Sequence, residues 1–199
     1  GRLNTQSIVD AVKQYCNTFG LSENATDLTN IVEEAYLKGR NLADSTRVFV
    51  NSLFKQYGLI ILDADRKELK KLFAPIMEED ILEEKSFKAI EKTSEELLDK
   101  GFATQVHARE INFFYLTDEF RERIIRTEDG RFEVLHQDIY FTAEELKKEI
   151  RSHPERFSPN VVMRPMYEEI ILPNLAYIGG GSEIVYWLQL KANFDQYKV

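Results

Sequence analysis

Residues Ser158 to Lys191, SPNVVMRPMYEEIILPNLAYIGGGSEIVYWLQLK, decide the fold class of this chain. Within them, the apolar run Asn174–Ile178 predicts a buried strand, and three glycines follow it directly. Glycines permit a turn with positive φ and let a ligand approach bare backbone. Ser182 and Glu183 then begin a helix, whose unpaired first-turn N–H groups suit a carboxylate or a phosphate. The glycines of this turn are Gly179, Gly180 and Gly181.

The order of strand, glycines and helix has a second interpretation, in which the glycines form a tight turn and bind nothing. The sequence GGGSE lacks the spacing of the dinucleotide fingerprint, and no Lys-Ser or Lys-Thr follows it as in a P-loop. Spacing alone therefore leaves an anion site and a simple turn equally open.

A second strand is predicted at Leu59–Leu62, an apolar run without alternation that is typical of a strand buried in a parallel sheet. Ligands gather beyond the carboxyl ends of such strands, so Asp63 is a candidate site residue. Asp65 has the alternative role of capping the helix that begins near Arg66. Together the two strands predict an α/β fold with a parallel-sheet core.

Helices and a hairpin occupy the rest of the chain. Apolar periodicity predicts helices over Thr5–Thr18, Thr26–Lys38 and Leu42–Tyr57, and over Arg66–Lys100 with a break or kink near Ala74-Pro75. Further along, Ile111–Leu116 is a predicted strand, Arg121–Thr127 and Arg131–Leu135 a hairpin around a type I′ Asp129-Gly130 turn, and Thr142 the capping-box start of a helix to Ser152.

These elements predict three parts along the chain. Residues 1–65 hold helices and the first core strand, residues 66–157 form a helical and hairpin insertion, and residues 158–199 return to the core with the glycine-rich loop. More than a hundred residues between the two core strands exceed a single crossover connection. The central part is therefore predicted to be an insertion into a nucleotide-binding type of fold.

Composition excludes several functional classes for these 199 residues. A formal charge of −8 argues against a general nucleic-acid binder, and no apolar run approaches the ~20 residues of a membrane helix. The single Cys16 excludes an intrachain disulfide, which favours the reducing cytoplasm and a packed structural thiol. The three histidines are too scattered for a zinc site, so no metal is predicted.

The abrupt ends of the chain indicate a piece of a longer protein.

Three segments resemble the family of bacillithiol-synthesis cysteine-adding enzymes, BshC. They are GRLNTQSI at the start, NLADSTRVFVNSLFKQYGLIILDADRKELKKLFAPIMEEDI in the middle, and FSPNVVMRPMYEEIILPNLAYIGGGSEIVYWLQLK near the end. The last segment and the LDAD strand end are the most specific, whereas the region Leu97–His136 resembles the family weakly. Family members are more than twice as long as this chain.

The resemblance implies a Rossmann-like core with connecting-peptide insertions and a last step of bacillithiol synthesis. That step joins the carboxyl of cysteine to the amine of glucosaminyl-malate, and ATP is the expected source of activation. The resemblance also implies that this piece lacks an N-terminal strand region and a C-terminal coiled coil for homodimerisation. We therefore expect small-molecule substrates for the parent protein, and no turnover by the piece alone.

Residue roles follow from the chemistry of these substrates. Arg164 can fork onto the malate carboxylates or a phosphate, with an ion pair to Glu168 as the alternative. Glu183 can accept the proton of the attacking amine, or only complement the helix dipole. The other predicted substrate-binding residues are Asn160, Asn174, Tyr177, Gly179, Gly180, Gly181, Ser182 and Asp63.

Two other functions remain open from the sequence. The three N-terminal helices and the acidic composition are also compatible with a non-catalytic interaction module. A synthetase or nucleotidyl-transferring enzyme with a similar core and another substrate is the third hypothesis.

Overall fold

The chain folds into two compact units, Gly1–Ala64 and Asp65–Val199. A computed structural model describes residues 5–20, 22, 24–39 and 41–199. The described part of the first unit is helical, whereas the second combines helices with a five-stranded sheet.

The first unit contains the three predicted helices. They are α1 (Thr5–Cys16), α2 (Ala25–Leu37) and α3 (Leu42–Phe54), and α2 packs against both of the others. Short 3₁₀ turns extend α1 and α3 by three residues each. The periodicity of apolar residues predicted these helices correctly because each buries one stripe against its neighbours.

Gly39 follows α2 and allows a close approach to α3. A Cβ atom on this residue would lie 2.6 Å from the Ala35 carbonyl oxygen and would overlap the side chain of buried Ser45. A residue other than glycine would therefore push the start of α3 away from the end of α2.

The predicted core strand Leu59–Leu62 is wrong. These residues form no strand, and Ile60 is 71% exposed. An apolar run becomes a buried strand only where a partner strand and covering helices are present. The described residues supply neither at this position.

The second unit begins with two consecutive helices, α4 (Lys67–Glu83) and α5 (Lys85–Asp99). The break between them lies at Glu84, which has a φ of 57°, and α4 continues through Pro75, so the predicted break is wrong. The carboxylate of Asp80 accepts the Ser86 N–H at 3.0 Å and also contacts the Ser86 hydroxyl. This side-chain cap at the start of α5 places the break after Glu83.

The sheet of the second unit is antiparallel throughout, in the order β4-β3-β2-β1-β5. The predicted parallel arrangement is therefore not found among the described residues. The outer strand β5 of the observed sheet comes from a segment more than forty residues beyond β1, and Phe113 of β1 pairs with Pro159 of β5. The strands are β1 (Phe113–Leu116), β2 (Arg121–Arg126), β3 (Phe132–Val134), β4 (Tyr140–Phe141) and β5 (Phe157–Pro159).

The predicted hairpin is confirmed as the pair β2–β3, but its turn differs. Within this turn, only Gly130 has a positive φ, 82°, and its N–H donates to the Thr127 carbonyl at 2.9 Å. A type I′ turn would require a positive φ at Asp129 as well. The connection is a three-residue loop that ends in a left-handed glycine.

The remaining helices are α6 (Ala143–Ser152), α7 (Arg164–Ile171) and α8 (Gly181–Tyr197). The predicted capping box is confirmed, since the Thr142 hydroxyl accepts the Glu145 N–H while the Glu145 carboxylate accepts the Thr142 N–H. Apolar side chains of the sheet and helices form the core, among them Phe73, Met77, Ile81, Phe113, Ile124, Phe132, Leu146, Ile150 and Phe157.

The segment before α8, predicted as the strand Asn174–Ile178, is an irregular loop. Leu175 and Ile178 are fully exposed there, so the prediction of a buried strand is wrong. As at Leu59–Leu62, the described residues include no strand beside this apolar run. The predicted helix is present and begins at Gly181, but Gly179, Gly180 and Gly181 all lack a positive φ, so the predicted left-handed glycine turn is wrong.

Candidate functional site

A cleft of about 520 Å³ lies in the second unit, between the sheet and the start of α7. Arginines dominate its walls, and no aspartate or glutamate is among its lining residues. The arginines are Arg109, Arg121, Arg123 and Arg164. The other lining residues are Gln105, Val106, His107, Ile111, Phe113, Phe114, Asn160 and Val161.

Three local structures bring these arginines together. Arg121 and Arg123 are two residues apart on strand β2, so their side chains project from the same face of the sheet. Arg164 is the first residue of α7, and Arg109 belongs to the irregular segment before β1. A sheet face, a helix start and a loop thus converge on one cleft.

Arg121 is held in a defined orientation. Its Nε donates to the Ser158 hydroxyl at 3.2 Å and its Nη2 to the Pro159 carbonyl at 3.4 Å. The guanidinium carbon lies 3.7 Å from the centre of the Phe114 ring, a cation–π distance. The remaining N–H groups of Arg121 are therefore pre-oriented for an acceptor in the cleft.

The positive charges of the cleft repel one another. Burial lowers the pKa of Arg121, and the neighbouring charge of Arg164 lowers it further, with a weaker opposite effect of Asp65. Burial and the charge of Arg109 likewise lower the pKa of Arg123. A bound anion would relieve this repulsion and replace lost hydration.

Ion pairing distinguishes the arginines of the cleft from the others. In the part of the chain that the structure describes, none of the four forms an ion pair, and Arg164 does not take up the alternative pair with Glu168. Every described arginine outside the cleft does have a carboxylate partner. Those paired residues are Arg47, Arg66, Arg126, Arg131, Arg151 and Arg156.

Asn112 and Asn160 connect the walls of the cleft. The fully buried Asn112 side chain accepts the Arg109 N–H at 3.1 Å and donates to the Arg109 carbonyl at 2.7 Å. The Asn160 amide donates to the Asn112 oxygen at 2.9 Å, and its own oxygen accepts the Val162 and Met163 N–H groups. Asn160 thus lines the cleft and also fixes the loop that leads to Arg164.

Gln189 of helix α8 holds another wall. Its buried side-chain oxygen accepts the N–H groups of Gln105 and Val106 at 2.6 and 3.0 Å. Its NH₂ group donates to the Val106 carbonyl and to the Ser94 hydroxyl, each at 3.0 Å. All four hydrogen-bonding positions of this amide are therefore used, and three of them anchor the segment that precedes His107.

The glycine turn lies outside the residues that line the cleft. Glu183 reaches back from the first turn of α8, and its Oε2 accepts the Gly180 N–H at 3.0 Å. The Tyr177 ring stacks on Trp187 with centroids 4.1 Å apart. A Cβ on Gly179 would lie 2.8 Å from the Tyr177 ring, so a larger residue here would displace that ring.

Of the residues predicted to bind substrate, the structure brings Asn160 and Arg164 into the cleft. Asn174 lies apart, with its N–H and amide donating to the carboxylate of Glu169. Asp63 belongs to the first unit. Gly181 and Ser182 are exposed in the first turn of α8. The roles proposed for these residues stay predictions.

Sequence reasoning missed the other three arginines of the cleft. Arg121 and Arg123 belong to a strand that the sequence did predict, and same-face arginines in a chain of net charge −8 were an available signal. Arg109 gave no such signal, because it lies in an irregular segment that Asn112 holds by hydrogen bonds and that Asn160 links to the loop before α7.

The model of the family "Bacillithiol biosynthesis BshC, N-terminal Rossmann-like domain" matches residues 1–199. The chain belongs to the BshC family. Its resemblance to BshC is thereby confirmed, together with the assignment to a Rossmann-like domain.

Proteins named "Putative cysteine ligase BshC" are similar to the chain over most of its length. One from Flavobacterium johnsoniae is 50% identical over 195 residues, covering 98% of this chain and 36% of that protein. One from Christiangramia forsetii is 45% identical with the same coverage, and one from Staphylococcus carnosus is 30% identical over 84% of the chain and 32% of that protein. The chain therefore spans about a third of the length of these BshC relatives.

None of the helices among the described residues is both long and apolar enough to cross a membrane. No cluster of three or more His, Cys, Asp or Glu side chains within the same residues has the arrangement to hold a metal ion.

Proposed function

We propose that this chain is part of an enzyme that joins the carboxyl group of cysteine to the amine of glucosaminyl-malate, the last step of bacillithiol biosynthesis. Membership of the BshC family and the ligase names of its relatives support the proposal. The observation that carries it is the cleft with four guanidinium groups and no ion pair among the described residues. Arginine is suited to carboxylates and phosphates because its planar fork matches their oxygens.

The proposed reaction needs an activated carboxyl group. A free carboxylate is a poor electrophile, so we propose ATP as the co-substrate that converts it into an acyl phosphate or an acyl adenylate. The cleft suits this chemistry, since guanidinium groups accept carboxylate and phosphate oxygens in the same bidentate way. Arg121 and Arg123 would contact the anionic groups from the sheet, Arg164 from the start of α7, and His107 and Arg109 from the irregular segment before β1.

The rest of the proposed site would lie in the parts of the parent protein beyond these residues. The chain spans about a third of its relatives, so we propose that it provides one wall of a composite site in a cytoplasmic enzyme. Homodimerisation through a coiled coil elsewhere in the parent belongs to the same proposal.

Turnover by the full-length protein tests the function. Incubated with glucosaminyl-malate, cysteine and ATP, it is expected to form bacillithiol, detected as a new thiol by mass spectrometry. The 199-residue chain alone is expected to form none, because most of a composite site is absent. Reactions that lack one of the three substrates serve as controls.

Each result of this experiment has a distinct meaning. Bacillithiol formed by the isolated chain would contradict the composite site. Absence of product and of saturable binding of any substrate by the full-length protein would contradict the ligase proposal and favour an interaction module.

Glu183→Gln tests the proposed role of Glu183 as the base that accepts the amine proton. Glutamine keeps an oxygen that can accept the Gly180 N–H, so the start of α8 is preserved while the basic carboxylate is lost. We expect kcat of the full-length protein to fall by about tenfold or more, within the range of general-base catalysis. Glu144→Gln, at an exposed position of α6, is the matched control.

Unchanged kcat in Glu183→Gln would contradict the catalytic role. Helix capping would then be the remaining function of Glu183. Thermal unfolding of both variants shows whether any loss of activity comes from a loss of structure.

A further inference from the structure

The arginines of the cleft form two pairs. The charge of Arg164 opposes that of Arg121, and the charge of Arg109 opposes that of Arg123. Arg121, Arg164 and Arg109 are exposed at the cleft, and Arg123 is half-buried. None of these arginines forms an ion pair among the described residues, and Asp65 offsets the charge of Arg121 only weakly, so both pairs retain net positive charge. An oxyanion placed between two guanidinium groups would be attracted by both and would remove their mutual repulsion.

The two pairs are separated along strand β2. Arg121 and Arg123 alternate with Glu122, so their Cα atoms are about 7 Å apart on one face of the strand. Arg164 approaches from α7, and Arg109 from the loop that Asn112 fixes. The pairs are thus two neighbouring positions in one cleft, each built from the strand and one other segment.

The walls of the cleft also restrict what can accompany the anion. No carboxylate lines it, so a ligand's ammonium group would meet positive charge without compensation. Apolar side chains, including Val106, Ile111 and Val161, lie between the charged groups. These walls suit a short carbon chain or another linker that is neutral.

From these features we propose that the cleft binds one ligand with two linked oxyanion groups, one held by Arg121 and Arg164 and the other by Arg109 and Arg123. The inference rests on the proposed function and deepens it. The malyl part of glucosaminyl-malate is a dicarboxylate of this kind, whereas cysteine has one carboxylate beside an ammonium group. Adjacent phosphates of a nucleotide carry the same chemistry, so the experiment distinguishes a dicarboxylate from a diphosphate.

Calorimetric titration of the full-length protein with simple anions tests the proposal without turnover. Succinate and pyrophosphate are the dianion probes, and acetate and inorganic phosphate are the matched single-group probes. At constant ionic strength, we expect succinate to bind with one-to-one stoichiometry and at least about tenfold more tightly than acetate, because two linked groups bind as one ligand. Stronger binding of succinate than of pyrophosphate assigns the cleft to a dicarboxylate, and the reverse order assigns it to a diphosphate.

Substitutions in each pair locate the two positions. Arg109→Gln and Arg121→Gln are each expected to weaken succinate binding about tenfold or more, to near the affinity of acetate. Arg131→Gln removes the same charge at the β2–β3 turn, where Arg131 pairs with Asp129, and is expected to change succinate binding less than twofold.

Equal affinities for succinate and acetate would overturn the proposal, as would a loss of binding in Arg131→Gln as large as in the cleft variants. If the protein binds succinate as expected yet forms no bacillithiol, the dianion site is supported and the proposed function is contradicted. If the protein forms bacillithiol but binds succinate and acetate equally, the proposed function is supported and the dianion site is contradicted.

Discussion

Replacing Arg164 with glutamine in the full-length protein is expected to lower kcat/KM for bacillithiol formation by an order of magnitude or more. Arg164 lines the cleft, contributes to the unfavourable charge around Arg121, and has no ion pair in the described part of the chain. A hydrogen bond between a guanidinium and a carboxylate or phosphate is charge-assisted, and its loss costs on the order of 1.5–3 kcal/mol. A loss of about 1.4 kcal/mol already corresponds to tenfold in rate.

The substitution is expected to leave the fold intact. The Arg164 side chain is exposed at the first turn of α7, where a positive charge opposes the helix dipole. Removing that charge should therefore not lower the free energy of unfolding. Steady-state kinetics beside Arg131→Gln, with thermal unfolding of both variants, separates a local effect from a general one. Wild-type kcat/KM in Arg164→Gln would contradict the assignment of the cleft to substrate.

The second large effect concerns Asp80, a carboxyl group in the interior of the second unit. Its side chain is fully buried, and burial raises its pKa from 3.8 to about 7, with a smaller contribution from Glu84. Hydrogen bonds from the Ser86 and Asn112 N–H groups act in the opposite direction. Oδ2 has no hydrogen-bond partner among the described residues.

The sign of the pH dependence follows from this raised pKa. Between pH about 4 and 7 the folded chain retains a proton that the unfolded chain releases. The contribution of Asp80 to stability is therefore most favourable at low pH and is lost as the pH rises through about 7. A shift of this size corresponds to a loss on the order of 4 kcal/mol.

Asp80→Asn is expected to raise the free energy of unfolding at pH 8 and to flatten its decrease between pH 5 and 8. Asparagine keeps an oxygen that accepts the Ser86 N–H but cannot ionise. Urea unfolding followed by the fluorescence of Trp187, the single tryptophan of the chain, reports on the second unit. Asp195→Asn, at an exposed position paired with Lys191, is the control. A variant that is less stable than wild type at pH 8 would contradict the ionisation of Asp80.

Local signals in the sequence predicted the helices of this fold well. The three N-terminal helices follow apolar periodicity, and the start of α6 follows from Thr142 and Glu145. The sequence did not predict the end of α4. The helix continues through Pro75, where a break was expected, and it ends where the Asp80 carboxylate accepts the Ser86 N–H. Local signals act within a few residues, so they predict an element wherever no other contact overrides them.

The parallel sheet was predicted from two apolar runs, Leu59–Leu62 and Asn174–Ile178. Apolar residues indicate that a segment can be buried, but burial depends on partners elsewhere in the structure. Both runs lie outside the sheet of the described residues. The cleft was predicted only through Asn160 and Arg164, because the pairing of β1 with β5 and the hydrogen bonds of Asn112 bring distant segments to it.

Helix α8 begins at the glycine turn and carries Gln189 farther along, on the face that holds Gln105 and Val106. The eight helical steps from Gly181 to Gln189 correspond to about 12 Å of helix axis. An α-helix is stiff along its axis, so a small axial displacement at the glycine turn would reach Gln189 almost undiminished. The segment before His107 would move with it. Helix α8 thus provides a rigid connection between the glycine turn and one wall of the cleft.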